Sequence, residues 1–203
     1  MLRRMLLAAA AATASAALAR AATPPTAEVL VIGDSITAGF GLAPAQAMPA
    51  RLQAELARRG RPVRVLAAGV FGDTAENGLR RLDTLPAAPV TVVALGANDL
   101  LQGVPPARTE AALHAIVRKL KARGSRVVLA GGRSPFGSAP GFEAVFARVA
   151  RTEGAPLVPD VLAGVSQRAG AVQKDGLHPD ARGAELIARR LAPAVLAALE
   201  PGA

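Results

Sequence analysis

Five short apolar runs constrain this chain more than any other feature of its sequence. They occupy residues 28–33, 63–69, 90–96, 126–131 and 155–160, and each ends at Gly or Asp. Val-rich, unalternating runs of strand length are what a parallel sheet requires where both of its faces are buried, because neither side of the strand meets water. Stretches with helical periodicity separate them, at residues 46–59, 75–84, 108–123, 141–153 and 180–199. In the third of these, Ala112, Leu113, Ile116, Val117 and Leu120 share one face. Lys119, Lys121 and Arg123 then load the end where the helix dipole is negative. Strand and helix alternating five times predict one doubly wound α/β domain over residues 28–203, with no internal repeat.

Ahead of that domain, residues 1–22 read as a secretory signal peptide. Arg3 and Arg4 precede an apolar stretch from Met5 to Leu18, and small residues follow in an A-x-A pattern. The stretch is about 14 residues long, short of the roughly 20 that a spanning helix needs. A paired Arg before Met-Leu-Leu also fits twin-arginine export. Residues 23–27 form an extended linker, since Pro24 and Pro25 fix the backbone and lack donors. The expected location is the bacterial periplasm or the medium, with no stable membrane span after processing.

Composition narrows the chemistry. The chain of 203 residues has no Cys, Trp or Tyr, five Phe and two His. Disulfides, thiolate metal sites, a Cys nucleophile and a three-His metal site are excluded, and an aromatic platform for single-stranded nucleic acid cannot be built. The formal charge of +9 comes mostly from Arg scattered at helical spacing, without a run of five basic residues. That pattern is a solvated basic surface, and no nucleic-acid partner is expected.

In an open α/β sheet, ligands bind beyond the carboxyl ends of the strands. After the first apolar run comes Gly33-Asp34-Ser35-Ile36-Thr37, after the second Gly69-Val70-Phe71-Gly72-Asp73-Thr74, and after the third Gly96-Ala97-Asn98-Asp99. Ser35, in a strand-to-helix turn, has the exposure and positive environment that a nucleophile needs. The Gly72 N–H can approach a substrate with no side chain between, and the Asn98 amide can donate to a developing oxyanion. Asp175 and His178 stand three apart before the last helix. One turn can therefore set the carboxylate on Nδ1–H while Nε2 faces outward. His114 lies mid-helix beside Leu113 and reads as a partly buried histidine without a catalytic role. Asp34 reads as a turn-fixing residue, and Asp73 and Asp99 as short acids that satisfy backbone donors in loops.

Taken together, Gly33-Asp34-Ser35-Ile36, Gly72, Gly96-Ala97-Asn98-Asp99 and Asp175-x-x-His178-Pro179 resemble the SGNH (GDSL-type) hydrolase family, in the family's order. Within it, the stretch from Val31 to Gly39 and Gly72-Asp73-Thr74 are most similar to the bacterial periplasmic branch of multifunctional acyl-CoA thioesterases, arylesterases and lysophospholipases. The resemblance implies a flavodoxin-like, three-layer α/β/α fold whose five-stranded parallel sheet has the order 2-1-3-4-5. It further implies Ser35 as nucleophile, His178 as general base and then acid, and Asp175 as the partner that orients it. The oxyanion hole would be Ser35 N–H, Gly72 N–H and the Asn98 side chain. Leu100 and Leu101 start the segment that in such enzymes is a substrate-contacting mobile loop, and here they either suit an acyl chain or anchor the loop in the core. With no Trp or Tyr, an acyl pocket must be lined by Leu, Val, Ala and Phe.

The expected protein is thus a monomeric serine esterase with an ester or thioester substrate bearing an acyl chain, and with no metal or organic cofactor. Two other readings compete: a carbohydrate O-acetyl esterase of the same fold, and a non-catalytic periplasmic binding protein. The intact set of Ser35, Gly72, Asn98 and His178 argues against the second, since a binder needs no such combination.

Overall fold

The computed structural model describes residues 27–133, 139–165 and 170–200. The signal peptide and most of the linker expected from the sequence lie outside them. Five strands form one sheet: β1 (Ala27–Gly33), β2 (Arg64–Gly69), β3 (Val90–Ala94), β4 (Arg126–Ala130) and β5 (Leu157–Val158). All pair in parallel, in the order β2-β1-β3-β4-β5. The helices are α1 (Ser35–Ala38), α2 (Met48–Arg58), α3 (Ala75–Arg81), α4 (Ala97–Leu101), α5 (Pro106–Ala122), α6 (Pro140–Glu153) and α7 (Ala181–Leu199). Among the described residues no helix is long and apolar enough to cross a membrane.

The sheet separates two apolar layers. Val29 and Val31 of β1, Val90 and Val92 of β3 and Val128 of β4 pack with Leu52 and Leu56 of α2 and Ile187, Leu191 and Val195 of α7. Ile32, Val93, Val127 and Leu129 point the other way, toward Leu113, Ile116 and Val117 of α5 and Val145, Phe146 and Val149 of α6. Each central strand therefore buries side chains on both faces, which is why its sequence does not alternate. In α5 the five apolar positions read from the sequence are buried, together with Thr109.

Two of the strands depart from that expectation. β2 is half-exposed because it lies at the sheet edge and pairs only with β1. β5 pairs over two residues instead of six, because Pro156 and Pro159 bracket it and offer no N–H to a ladder. Helices α1 and α4 occupy segments that read as loops. A turn of 3₁₀ helix, Leu82–Thr84, takes over where the stretch of residues 75–84 was expected to remain α-helical.

Candidate active site

The order β2-β1-β3 sets the carboxyl ends of the first three strands side by side. Ser35 opens α1 directly after β1, and Asp34 caps the helix, its Oδ1 accepting the Ile36 N–H at 3.0 Å. The turn closes when Ala38 N–H donates to the Asp34 carbonyl at 2.9 Å and Phe40 N–H to the Ser35 carbonyl at 3.0 Å. This turn lies directly against the end of β2. A Cβ on Gly69 would sit 2.2 Å from the Ala38 nitrogen and 2.6 Å from the Thr37 carbonyl carbon, so only glycine allows the approach.

The loop before α7 delivers His178 to the same place. Asp175 Oδ1 accepts the N–H groups of Leu177 and His178, each at 3.0 Å, and Oδ2 lies 2.7 Å from His178 Nδ1. These bonds, the one from Leu177 foremost, hold the Asp175 carboxyl down at about 2, so it is ionised. A carboxylate only accepts, so Nδ1 carries a proton, and in the neutral ring the lone pair is the one on Nε2. His178 Nε2 is 3.0 Å from Ser35 Oγ, although 143 residues separate them in the chain. A hydroxyl, an imidazole and a carboxylate in line can move a proton off the hydroxyl as it attacks a carbonyl.

Gly72 and Asn98 border the same pocket as Ser35 and His178. Glycine also suits position 72 for its φ of +75°, and a Cβ there would meet no protein atom within 4 Å. Asn98 Nδ2 donates one proton to the Asp73 carbonyl at 3.1 Å, which orients the amide and leaves its second proton for a ligand. Asp99 accepts the Ala75 N–H at 2.8 Å and the Thr109 hydroxyl at 2.9 Å, the role expected of it. Asp73 does not follow that expectation. Its carboxylate binds Arg81 Nε at 2.6 Å, and the same guanidinium donates to the carbonyls of Gly33 and Ala68 at the ends of β1 and β2. His114 stands apart from the pocket, its Nδ1 2.6 Å from Glu153 Oε1.

The pocket has a volume of about 870 Å³ and runs from Ser35 past the ends of β3, β4 and β5. Leu100 and Leu101 line it from the last turn of α4. Leu100 also packs on the core, whereas Leu101 is 43% exposed. Among the described residues, all four phenylalanines line the pocket: Phe40, Phe71, Phe142 and Phe146. The Phe40 ring covers the His178 imidazole at 4.4 Å between centroids and meets Phe71 edge-on at 5.6 Å. These residues, with Gln173 and Arg81, were not singled out in the sequence. Their rarity was the available signal, since an aromatic in a chain with five of them is seldom idle. Among the described residues, no group of three His, Cys, Asp or Glu is placed to hold a metal ion.

Burial pushes the Asp34 carboxyl up from its ordinary value to about 6. Between about pH 4 and about pH 6 the native state therefore binds more protons than the unfolded chain, and stability falls as pH rises through that window. A shift of this size corresponds to roughly 3 kcal/mol. Asp34→Asn keeps an acceptor for Ile36 N–H and removes the titration. Denaturant melts across this range should show the variant gaining on the wild type as pH rises, and a constant difference would contradict the assignment.

A parallel sheet in this order, with Gly-Asp-Ser, Gly, Gly-x-Asn-Asp and Asp-x-x-His at its carboxyl edge, is the architecture of an SGNH hydrolase. The chain belongs to the GDSL-like lipase/acylhydrolase family, whose profile matches residues 31–186, and it is a hydrolase of the GDSL/SGNH esterase type. It is 40% identical over 158 residues to the esterase TesA of Pseudomonas aeruginosa, covering 74% of this chain and 79% of that protein. It is 33% identical over 187 residues to the thioesterase 1/protease 1/lysophospholipase L1 of Escherichia coli K12, covering 87% and 88%. A crystal structure of TesA superposes with a TM-score of 0.80 at 35% identity, over 84% of this chain and 99% of that one.

Proposed function

We propose that this protein hydrolyses carboxylic esters and thioesters through an acyl-enzyme on Ser35. The 3.0 Å contact between Ser35 Oγ and His178 Nε2 carries this reading, with Asp175 behind the ring. Ser35 Oγ attacks the carbonyl carbon and gives its proton to His178 Nε2. The N–H groups of Ser35 and Gly72 and the free Asn98 amide proton receive the oxyanion. The intermediate collapses as the bond to the leaving oxygen or sulfur breaks and His178 protonates that atom. Water then gives a proton to His178 and attacks the acyl carbon, Ser35 Oγ recovers the proton, and the free acid departs.

The acyl chain lies in the apolar pocket, along Leu100, Leu101, Phe142 and Phe146, while the leaving group sits beside His178, where Phe40 and Phe71 offer an apolar shelf. The volume of the pocket supports a chain longer than acetyl, and the substrates follow as aryl esters, acyl-CoA thioesters and lysophospholipids. Export to the periplasm or medium is part of the proposal, on the strength of Arg3, Arg4 and the Ala-rich stretch that follows. A fluorophosphonate probe tests it: fluoride leaves and a phosphorus–oxygen bond forms on the peptide containing Ser35, with loss of ester hydrolysis in step. Activity that persists without labelling of Ser35 overturns the proposal. A preference for acetylated sugar over medium-chain p-nitrophenyl esters overturns the substrate assignment.

A further inference from the structure

Gln173 joins the two segments that carry the site. Its side-chain Nε2 lies 2.7 Å from the Phe40 carbonyl oxygen and 2.9 Å from that of Pro179. Phe40 belongs to the turn that follows Ser35, and Pro179 comes directly after His178. Two carbonyl oxygens facing one side-chain atom are answered by a donor with two protons, which identifies that atom as the amide nitrogen. The backbone of Gln173 is bound into the histidine loop as well. Its N–H donates to the His178 carbonyl at 2.8 Å, and its own carbonyl accepts the Gly176 N–H at 3.0 Å. Val172 and Pro179 form an antiparallel bridge next to it.

One amide nitrogen thus fastens the nucleophile turn to a loop that is itself cross-braced. The fastening reaches the imidazole by a second route, because the Phe40 ring covers His178 and its backbone carbonyl is held by Gln173. We propose that Gln173 is a positioning residue: by holding the Phe40 and Pro179 carbonyls on one nitrogen, it sets the distance between His178 Nε2 and Ser35 Oγ. This rests on the reading of Ser35 and His178 as nucleophile and base. Misplacing a reacting group by about 1 Å costs on the order of 100-fold in rate, so kinetics reads the role more sharply than stability does.

Two variants test it. Gln173→Met keeps the length of the side chain and removes both donors. Gln173→Glu keeps its shape and supplies a proton only when the carboxyl is neutral, since an ionised carboxylate repels both carbonyls. We would measure kcat and KM for p-nitrophenyl butyrate from about pH 5 to about pH 9, counting active molecules by fluorophosphonate titration and following thermal unfolding. Gln173→Met should lower kcat per titrated site roughly 10- to 100-fold at every pH, with KM within about threefold of the wild type. Gln173→Glu should lose at least as much, because its carboxylate is ionised over most of this range and repels both carbonyls. If the Met variant does not fold, kcat per titrated site of the Glu variant decides. Wild-type kcat per titrated site in either variant overturns the inference. Ser35→Ala in the same assay separates the two levels. Activity there means that the nucleophile is misassigned, whereas an inactive Ser35→Ala beside a fully active Gln173→Met removes the role of Gln173 alone.

Discussion

Ser35→Ala should lower kcat/KM for p-nitrophenyl butyrate by on the order of 10⁴-fold or more, because it deletes the atom proposed to attack and leaves no substitute. The fold should be unaffected. Alanine keeps the helical backbone of α1, the Asp34 cap on Ile36 N–H and the Ser35 N–H, and it loses only an oxygen whose observed partner is His178. Circular dichroism and thermal unfolding should therefore match the wild type while turnover disappears. Since the oxyanion donors and the pocket survive, substrate should still bind. Residual hydrolysis within tenfold of the wild type would place the chemistry on another group.

The two histidines should behave in opposite ways. His178→Ala removes the group proposed to take the serine proton and return it to the leaving atom, and should cost on the order of 10³-fold or more in kcat/KM. His114→Ala should leave kcat/KM within about twofold and lower stability by roughly 1.5–3 kcal/mol, the contribution of one hydrogen bond to a charged group. Glu153, left behind, still holds Arg118 Nε at 2.8 Å, which limits the damage. Kinetics and denaturant melts on both variants make the test. Equal losses of activity would mean that the contact between His178 and Ser35 is not the one that carries the reaction.

The central strands were legible because burial on both faces demands apolar residues over most of β1, β3 and β4, with buried Thr91 as an exception that pairs with the Ser125 hydroxyl at 2.8 Å, and that demand is written locally. The same pattern misleads in β2, whose Val65, Leu66, Ala67 and Ala68 sit in an edge strand that is only half-covered. α4 was not legible either, because five residues give too short a period, and the segment is tied down by Asp99 reaching the Ala75 N–H and the Thr109 hydroxyl. Asp175 and His178 could be paired from their spacing alone, since one turn brings them together. Arg81 could not be found this way, because its three partners lie at the end of β1 and at the end of β2 with the loop after it, 8 to 48 residues away.

The sequence by itself determined which groups are available: a serine after a buried strand, an Asp–His pair three apart, a glycine and an asparagine at two other strand ends, and enough apolar surface to bury a sheet on both sides. These are matters of local spacing and composition. Only the tertiary structure decided that His178 meets Ser35, that Phe40 covers the imidazole, and that one glutamine amide spans the two segments. Contacts between residues more than a hundred positions apart arise from the packing of whole elements, and no local pattern encodes them.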